Sequence, residues 1–471
     1  MTRAATGGRL DPQTRLLALI VAAAFFMQLL DSAIINTSLP QMARTFGVLP
    51  LNVSIGVTIY LMAAATCMPL SAWLADRYGA RNVLATAIAL FTLASLACGV
   101  SRNLPEFAVA RAVQGMGAAL MTPVGRLVVL RSTAKSQLIH AIAFITWPAL
   151  VAPVIAPALG GFITTYFSWR WNFLLNVPLG IAGVALVLRF IPNLRAEVAG
   201  LDWPGFGLCA LALTTLLYGL DLLTHAPIAG VRSATCIGLG VVLGWLAVRH
   251  FRRTPAPLLQ LDSARVQTFA LATFAAGTIT RAGIAATPFL LPLLFQLPFG
   301  MSALGAGELT LVYFVGNIGI KPLTTPILRR FGFRRVLVFN GVLAGALMAA
   351  CGFLAPGTSR VLVIIVLLLA GMTRSMQFTA QGTIAYADVE PDHKSSASAL
   401  ASVLEQVAAV LGVAFGAIAL NLAQMAHHGA AISLGDFRFA FVLAGLLVIA
   451  ASLRFLSLPA NAGAEVSGHP A

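Results

Sequence analysis

From residue 15 to residue 457 the chain is built of apolar runs, each about 20 residues long or more, joined by short polar links. A run of that length crosses a hydrocarbon core about 30 Å thick as a helix. In lipid every backbone N–H and C=O must be satisfied within the structure, which leaves only helices and closed barrels. The ten-residue alternation of a membrane barrel is absent. Composition agrees: 59% of the 471 residues are hydrophobic and 10% charged, against about 25% charged in soluble domains. Hydropathy and breakers place spans near 15–39, 53–75, 83–100, 105–129, 139–164, 172–191, 203–222, 232–250, 266–292, 303–327, 336–355, 361–385, 397–422 and 437–457. That makes fourteen.

The formal charge is +15, but the basic residues gather in short links on alternate sides of the spans. This is the positive-inside pattern rather than a nucleic-acid surface. With the N-terminus inside, 20 Lys and Arg fall in cytoplasmic segments, 6 in periplasmic ones, and Arg111, Arg281, Lys321 and Arg374 lie within spans. Both termini are therefore expected in the cytoplasm of a bacterial inner membrane. Arg3, Arg9 and Arg15 precede a first span too long for a cleaved signal, so that helix is read as retained. The five cysteines all sit inside apolar spans, which argues against a disulfide framework or a zinc site.

An internal repeat sets the organisation. Residues 69–84 read PLSAWLADRYGARNVL and residues 322–337 read PLTTPILRRFGFRRVL, with seven of sixteen positions identical. The pairs Arg77/Arg330, Gly79/Gly332 and Arg81/Arg334 are among them, each copy in a basic turn after an even-numbered span. Such an offset fits a transporter of two parallel six-helix halves. The expected division is 1–192 and 266–458 for the halves, with 203–250 as two inserted helices.

Four stretches carry candidate chemistry. In the first turn Asp76 can cap or pair with Arg77 or Arg81, and Gly79 permits a tight reversal. Together with Arg330 and Arg334 this cluster is read as a latch between halves, or simply as a solvated basic loop. In ARAVQGMGAALMTP (110–123), Arg111 and Gln114 share a helical face. Gly115 and Gly117 invite close packing there. Arg111 acts in the membrane or snorkels to the outer interface. In APVIAPALGG (152–161), Pro153 and Pro157 remove backbone donors, while Gly160 and Gly161 add close approach and flexibility. In FFMQLLDSAIINTSLP (25–40), Asp31 interrupts an apolar helix with Gln28, Ile35 and Ser38 on its face. An intramembrane carboxylate normally meets a cavity or a partner. It either loads and releases protons near Arg111 or pairs with Arg111 to hold two helices together.

These motifs resemble a known group. SAWLADRYGAR (71–81) is similar to the signature loop of the major facilitator superfamily, with Ser71 where glycine is usual. RAVQGMGA resembles its fourth-helix motif. APVIAPALGG resembles the antiporter helix motif, with Ala152 and Ala156 at usual glycine positions. LDSAIINTSLP is similar to the first-helix motif of fourteen-spanner drug:proton antiporters, with Ala33 for the usual threonine. With SWRWNFLLNVPLG (168–180), read as an outer interfacial anchor through Trp169, Arg170, Trp171 and Asn172, the resemblance narrows to EmrB-type, MdtD-like exporters. It implies an all-α polytopic major facilitator fold, two six-helix bundles plus two central helices. It also implies proton-coupled drug efflux by alternating access, with the proton gradient as energy source and no cofactor. A single chain is the expected functional unit in the bilayer, and a periplasmic adaptor is left open.

In the second half Arg281, Glu308, Lys321, Arg374 and Glu405 fall within spans, while Asp221 closes an inserted one. Glu308 and Glu405 join Asp31 and Arg111 as proton-coupling candidates. Gln28, Ile35, Gln114, Arg281, Arg374 and Met376 are the expected substrate cavity. Met372, Met376 and Phe378 fit either a tolerant apolar pocket or ordinary packing. Three acids against four bases motivate an alternative cargo, an organic anion or a metal chelate such as citrate or iron-citrate. His427-His428 has no third ligand nearby in sequence. No H-E-x-x-H, G-x-S-x-G or phosphate-cradling G-x-x-x-x-G-K-[ST] pattern occurs, which speaks against an enzyme or an ATP-driven pump.

Overall fold

The computed structural model describes residues 11–132, 138–193, 195, 200–222, 230–255, 257–259, 261–390, 394–426 and 432–463. His427-His428 lies outside them. All regular structure among these residues is helical. In the first half α1 (Pro12–Ile34) is followed by the short α2 (Leu39–Phe46) and α3 (Pro50–Val53), then α4 (Ile55–Cys67), α5 (Leu70–Tyr78) and α6 (Ala80–Val100). Next come α7 (Leu104–Ser132), α8 (Leu138–Tyr166), the single turn α9 (Trp171–Leu174) and α10 (Asn176–Phe190). The insertion is α11 (Trp203–Leu222) and α12 (Gly230–Phe251). The second half holds α13 (Gln267–Thr273), α14 (Ala275–Ala285), α15 (Thr287–Gln296), α16 (Ala303–Gly319), α17 (Lys321–Gly352), α18 (Arg360–Ile384), α19 (Lys394–Ala426) and α20 (Leu434–Leu453).

Among the described residues 12 helical stretches are long and apolar enough to cross a membrane. The two remaining expected spans coincide with α8, of which Val151–Tyr166 is the described apolar part, and with the 17-residue α16. The ninth span is broken rather than straight. Phe274 leaves helical geometry between α13 and α14, and Pro288 opens α15 where its missing N–H is harmless. The internal repeat is visible in the backbone: Gly79 has φ 92° and Gly332 φ 72°, and both break a helix at the same place in the repeat. A side chain there would carry a Cβ into an unfavourable conformation, so glycine is required at both turns.

Packing explains the shape. α1 lies against α7 and α8, α6 against α7 and α10, and α4 against α7; in the second half α14 packs on α19 and α20, and α17 on α18 and α20. The two groups meet through α8 with α16 and α4 with α19. At the end carrying the basic turns, each group has its own apolar core, one around Leu17, Ala80 and Val187 and the other around Phe269, Phe333 and Phe455. At the opposite end one continuous core joins them, mixing Ile35, Phe107 and Phe173 with Phe289, Tyr313 and Phe437. The structure is thus sealed at the end away from the basic turns.

The inserted helices pack mainly on each other, and α11 also touches both α4 and α19. A surface of small residues on α12 is not free for lipid. A Cβ on Gly240 would stand 2.6 Å from the Leu216 nitrogen, so this glycine seats α12 on α11.

Candidate functional site

The most developed polar site lies inside the first bundle. α7 can approach its neighbours because Gly115 faces the Tyr60 carbonyl of α4 and Gly117 faces the Ala87–Phe91 backbone of α6, where a Cβ would be 2.9 Å from the Phe91 nitrogen. That approach brings the sequence-distant polar groups together. Arg111 and Asp31 form an ion pair of 2.8 Å, with both side chains fully buried. Gln114 Nε2 donates to Asp31 Oδ1 at 2.9 Å and to Ser95 Oγ at 2.7 Å. Asn176 Nδ2, from α10, donates to the same Asp31 oxygen at 2.7 Å. Arg111 also donates through Nε to the Gly56 carbonyl at 3.0 Å and through Nη1 to Gln114 Oε1 at 2.6 Å. Its guanidinium stacks 4.2 Å above the Tyr60 ring.

Five helices therefore converge around one carboxylate, and among the described residues all its hydrogen-bond partners belong to the first half. The pairing of Asp31 with Arg111 matches the expectation from sequence. Arg111 does not snorkel. Asn176, Ser95 and Tyr60 were missed. Asn176 sits in the stretch read as an interfacial anchor, and that reading needs correction. Trp169 and Asn172 are buried, with Asn172 donating to Ser38 Oγ at 2.6 Å, while Trp171 is exposed. Arg170 lies over the Trp169 ring instead of reaching outward alone.

The antiporter-like motif shapes the contact between bundles. Ala152 and Ala156, at the positions where glycine is usual, are buried against Leu30 and Ile34 of α1. Gly160 continues that face toward Ile34 and Thr37. Gly161 and the Pro157 carbonyl turn to the other side, where Ala303, Leu304 and Gly307 of α16 come within backbone-contact distance. Thr165 accepts from the Leu304 N–H at 3.2 Å, and Gln296 Nε2 donates to the Thr37 carbonyl at 3.1 Å. Near the centre of this contact a cavity of about 20 Å³ remains, lined by Ala33, Asn36, Pro157, Pro292, Thr310 and Phe314. It has room for about one water, and Asn36 Oδ1 is buried with no partner.

The second half contributes cations. Arg374 lies 5.2 Å from the Phe378 ring and 5.3 Å from Phe314, and its Nε is buried without a partner. Arg281 lies 5.3 Å from the same Phe378 ring and pairs with Glu405 at 2.9 Å. Glu405 is 51% exposed, so this pair opens to a solvated space. Lys321 donates to Thr379 Oγ1 at 2.8 Å. Three cations and one acid thus share the α14, α17, α18 and α19 wall.

Several expected residues stand elsewhere. Glu308 is 54% exposed and only 3.8 Å from an exposed Arg360, on the surface rather than near Asp31. Met376 is 3% exposed and packs in the second-half core, so it does not line a cavity. Ile35 belongs to the shared seal and Gln28 is tied to Thr122 at 2.8 Å, so neither faces open space. In the basic turns Arg77 and Arg330 are exposed, Asp76, Arg81 and Arg334 half-buried, and Arg81 donates to Asn82 at 3.3 Å. None of these four arginines forms an ion pair among the described residues, while Asp76 is engaged.

The architecture and the chain itself have relatives. The chain matches the Major Facilitator Superfamily over residues 21–413 and 273–470. It is 35% identical over 446 residues to MdtD of Cronobacter sakazakii, a protein named for multidrug resistance, covering 93% of this chain and 94% of that one. It is 36% identical over 420 residues to MdtD of Escherichia coli, covering 89% and 88%. Among solved structures it resembles a POT family transporter, with TM-score 0.70 at 14% identity, covering 97% of each chain. It also resembles the D-xylose-proton symporter, with TM-score 0.69 at 14% identity, covering 95% and 98%. With the repeat, the two bundles and the motif geometry in agreement, the chain belongs to the major facilitator superfamily.

Proposed function

We propose that this chain is a proton-coupled efflux transporter, a drug:proton antiporter of the bacterial inner membrane working by alternating access. The relatives that match over nine-tenths of the chain are named for multidrug resistance, which supports export of drugs. The arginine distribution supports placing the basic turns and both termini in the cytoplasm. On that orientation the shared core closes the periplasmic side, and the separate inner cores leave the cytoplasmic side free to part.

One observation carries the coupling. Among the described residues Asp31 is held by side chains of its own bundle, so its charge state governs how tightly α1, α6, α7 and α10 close around it. A proton on Asp31 cancels the attraction to Arg111 and frees the amides of Gln114 and Asn176. A substrate or proton that binds one arrangement better shifts the equilibrium between the two. The α8–α16 contact, with its prolines and glycines, is the joint about which the bundles rock. The proton gradient supplies the energy, and one chain forms the transport unit.

The cluster of Arg281, Lys321 and Arg374 against the single Glu405 favours a second reading of the cargo, an organic anion or a metal chelate such as iron-citrate. Both are tested in proteoliposomes with a trapped pH dye, adding lipophilic cations and then citrate and its iron complex. Substrate-triggered proton flux that disappears in Asp31→Asn supports the coupling, and the responding compound names the cargo. Flux unchanged in Asp31→Asn removes Asp31 from the proton path and leaves it a structural partner of Arg111.

A further inference from the structure

We infer that the basic-turn end of α12 is a binding site for an anionic phospholipid headgroup. Among the 12 apolar stretches of the described residues α12 is the most open to its surroundings: only 17% of it is buried. One face of α12 packs on α11 through Gly240. The other presents Val241, Val242, Trp245 and Val248, and Trp245 is 58% exposed. In a membrane-spanning helix a face of this kind meets acyl chains, and an exposed tryptophan marks the headgroup level.

Directly beyond that tryptophan the charge changes. A groove of about 440 Å³ is lined by Trp245, Val248, Arg249, Arg252 and Arg253. The Arg249 guanidinium lies 5.5 Å from the Trp245 ring, which holds it against the apolar wall. The acid best placed to neutralise these arginines is engaged elsewhere. Asp202 accepts from Gly205 N–H at 2.9 Å and Leu258 N–H at 3.2 Å, and meets His250 Nε2 at 2.8 Å, on the inner side of the same helix end. Among the described residues none of Arg249, Arg252 and Arg253 enters an ion pair. Three guanidiniums with no ion-pair partner among the described residues therefore face the bilayer above an apolar strip, with a tryptophan between. Phosphate oxygens of a lipid satisfy the arginines, and its acyl chains cover Val241, Val242 and Val248. A free anion satisfies only the first half of that pattern.

The test uses the full chain purified in detergent and examined by native mass spectrometry with phosphatidylglycerol, phosphatidylcholine or sodium phosphate added. Each arginine near an anionic surface is worth about fivefold, so phosphatidylglycerol should bind in preference to phosphatidylcholine by on the order of 100-fold. The variant R249Q/R252Q/R253Q should bring the two lipids close to parity. Phosphatidylglycerol preferred by the variant as strongly as by the unmodified chain, or sodium phosphate displacing phosphatidylglycerol at equimolar concentration, overturns the site. Should the triple variant fail to fold, the unmodified chain and Trp245→Phe are compared in phosphatidylcholine vesicles carrying a minor fraction of brominated lipid. Brominated phosphatidylglycerol should quench the Trp245 contribution several times more than brominated phosphatidylcholine, and equal quenching refutes the proposal.

Discussion

The sealed network predicts a ranked series of stabilities. Asp31 receives three side-chain donors, from Arg111 at 2.8 Å, Gln114 at 2.9 Å and Asn176 at 2.7 Å. Asp31→Asn keeps an acceptor for the two amides but sets an NH2 group against the Arg111 guanidinium. Arg111 still has the Gly56 carbonyl, Gln114 and the Tyr60 face. The loss should fall at the low end of the range for unpairing a buried ion, about 3 kcal/mol. Asp31→Leu removes the acceptor of all three donors and leaves the two amides with the Ser95 hydroxyl alone, so about 5 kcal/mol is expected. Arg111→Met leaves the carboxylate with its two amide donors and should cost about 3 kcal/mol.

The informative variant is the double one, Asp31→Leu with Arg111→Met. Neither charge is then buried, and only the Gln114 and Asn176 amides remain short of a partner. It should be at least 2 kcal/mol more stable than the sum of its single variants. The assay is reversible unfolding in mixed micelles, followed by the loss of helical circular dichroism in the unmodified chain and all four variants. Additive behaviour of the two substitutions, or Asp31→Asn as damaging as Asp31→Leu, refutes the claim that the buried charge pair dominates this site.

Three further outcomes follow from the geometry. A side chain on Gly307 would press on the Pro157 carbonyl, its Cβ 2.8 Å from the Pro157 carbonyl carbon, so Gly307→Val should open the α8–α16 seal. Disulfide formation between cysteines placed at Thr165 and Leu304, in a chain cleared of its own cysteines, should fall severalfold, and an unchanged yield counts against the seal. At the start of α11, burial pushes the Asp202 carboxyl up, but hydrogen bonds from His250, Gly205 N–H and Leu258 N–H outweigh it and hold it below its ordinary 3.8. The stability it contributes is therefore complete above that value and lost as pH falls through the lower folded-state value. Asp202→Ala should cost about 1 kcal/mol at neutral pH and converge with the unmodified chain in acid; a gap that persists in acid disproves the linkage. If the cargo is an anion, Arg374→Gln and Lys321→Gln should each raise its KM at least tenfold while leaving the unfolding midpoint within a few degrees, and an unchanged KM removes the cationic wall from the binding site.

Much of this molecule was legible in residue types alone. The spans announce themselves by length, and the turns at Gly79 and Gly332 by their repeated arginines and the single residue type that tolerates positive φ. The pairing of Asp31 with Arg111 was also within reach, since both charges fall inside apolar spans and an intramembrane charge needs a partner. What remained hidden is which face of each helix looks inward. In a membrane both lipid and core are apolar, so no polar stripe marks the exposed side. Met376 and Ile35 were for that reason expected at a cavity yet are packed, and Glu308, one helix turn from its span's end, reaches the surface. Asn176 was invisible for a different reason. Its partner lies 145 positions away, and its neighbourhood is rich in tryptophan, which suggested an interface.

The inserted helices bear on the transport cycle in a way the two-bundle scheme does not anticipate. A helix pair touching only one bundle would ride with it, and the cycle would be indifferent to its presence. α11 instead touches α4 on one side and α19 on the other, the same two helices that meet across the bundle interface. Rocking must therefore shear at least one of these contacts. Within the insertion, the hydrogen bond from Ser233 Oγ to the Gly219 carbonyl at 2.6 Å ties α12 to α11, and the bonds around Asp202 tie both to the following link. The pair is fastened internally, while the helix that meets the bundles, α11, is largely apolar between Trp203 and Leu220. Contacts of that kind are non-directional and shift by small steps without stranding a polar group. The insertion is accordingly built as a unit that slides against the bundles, and anchoring α12 to headgroups at its arginine end would hold that unit to the bilayer while the bundles turn beside it.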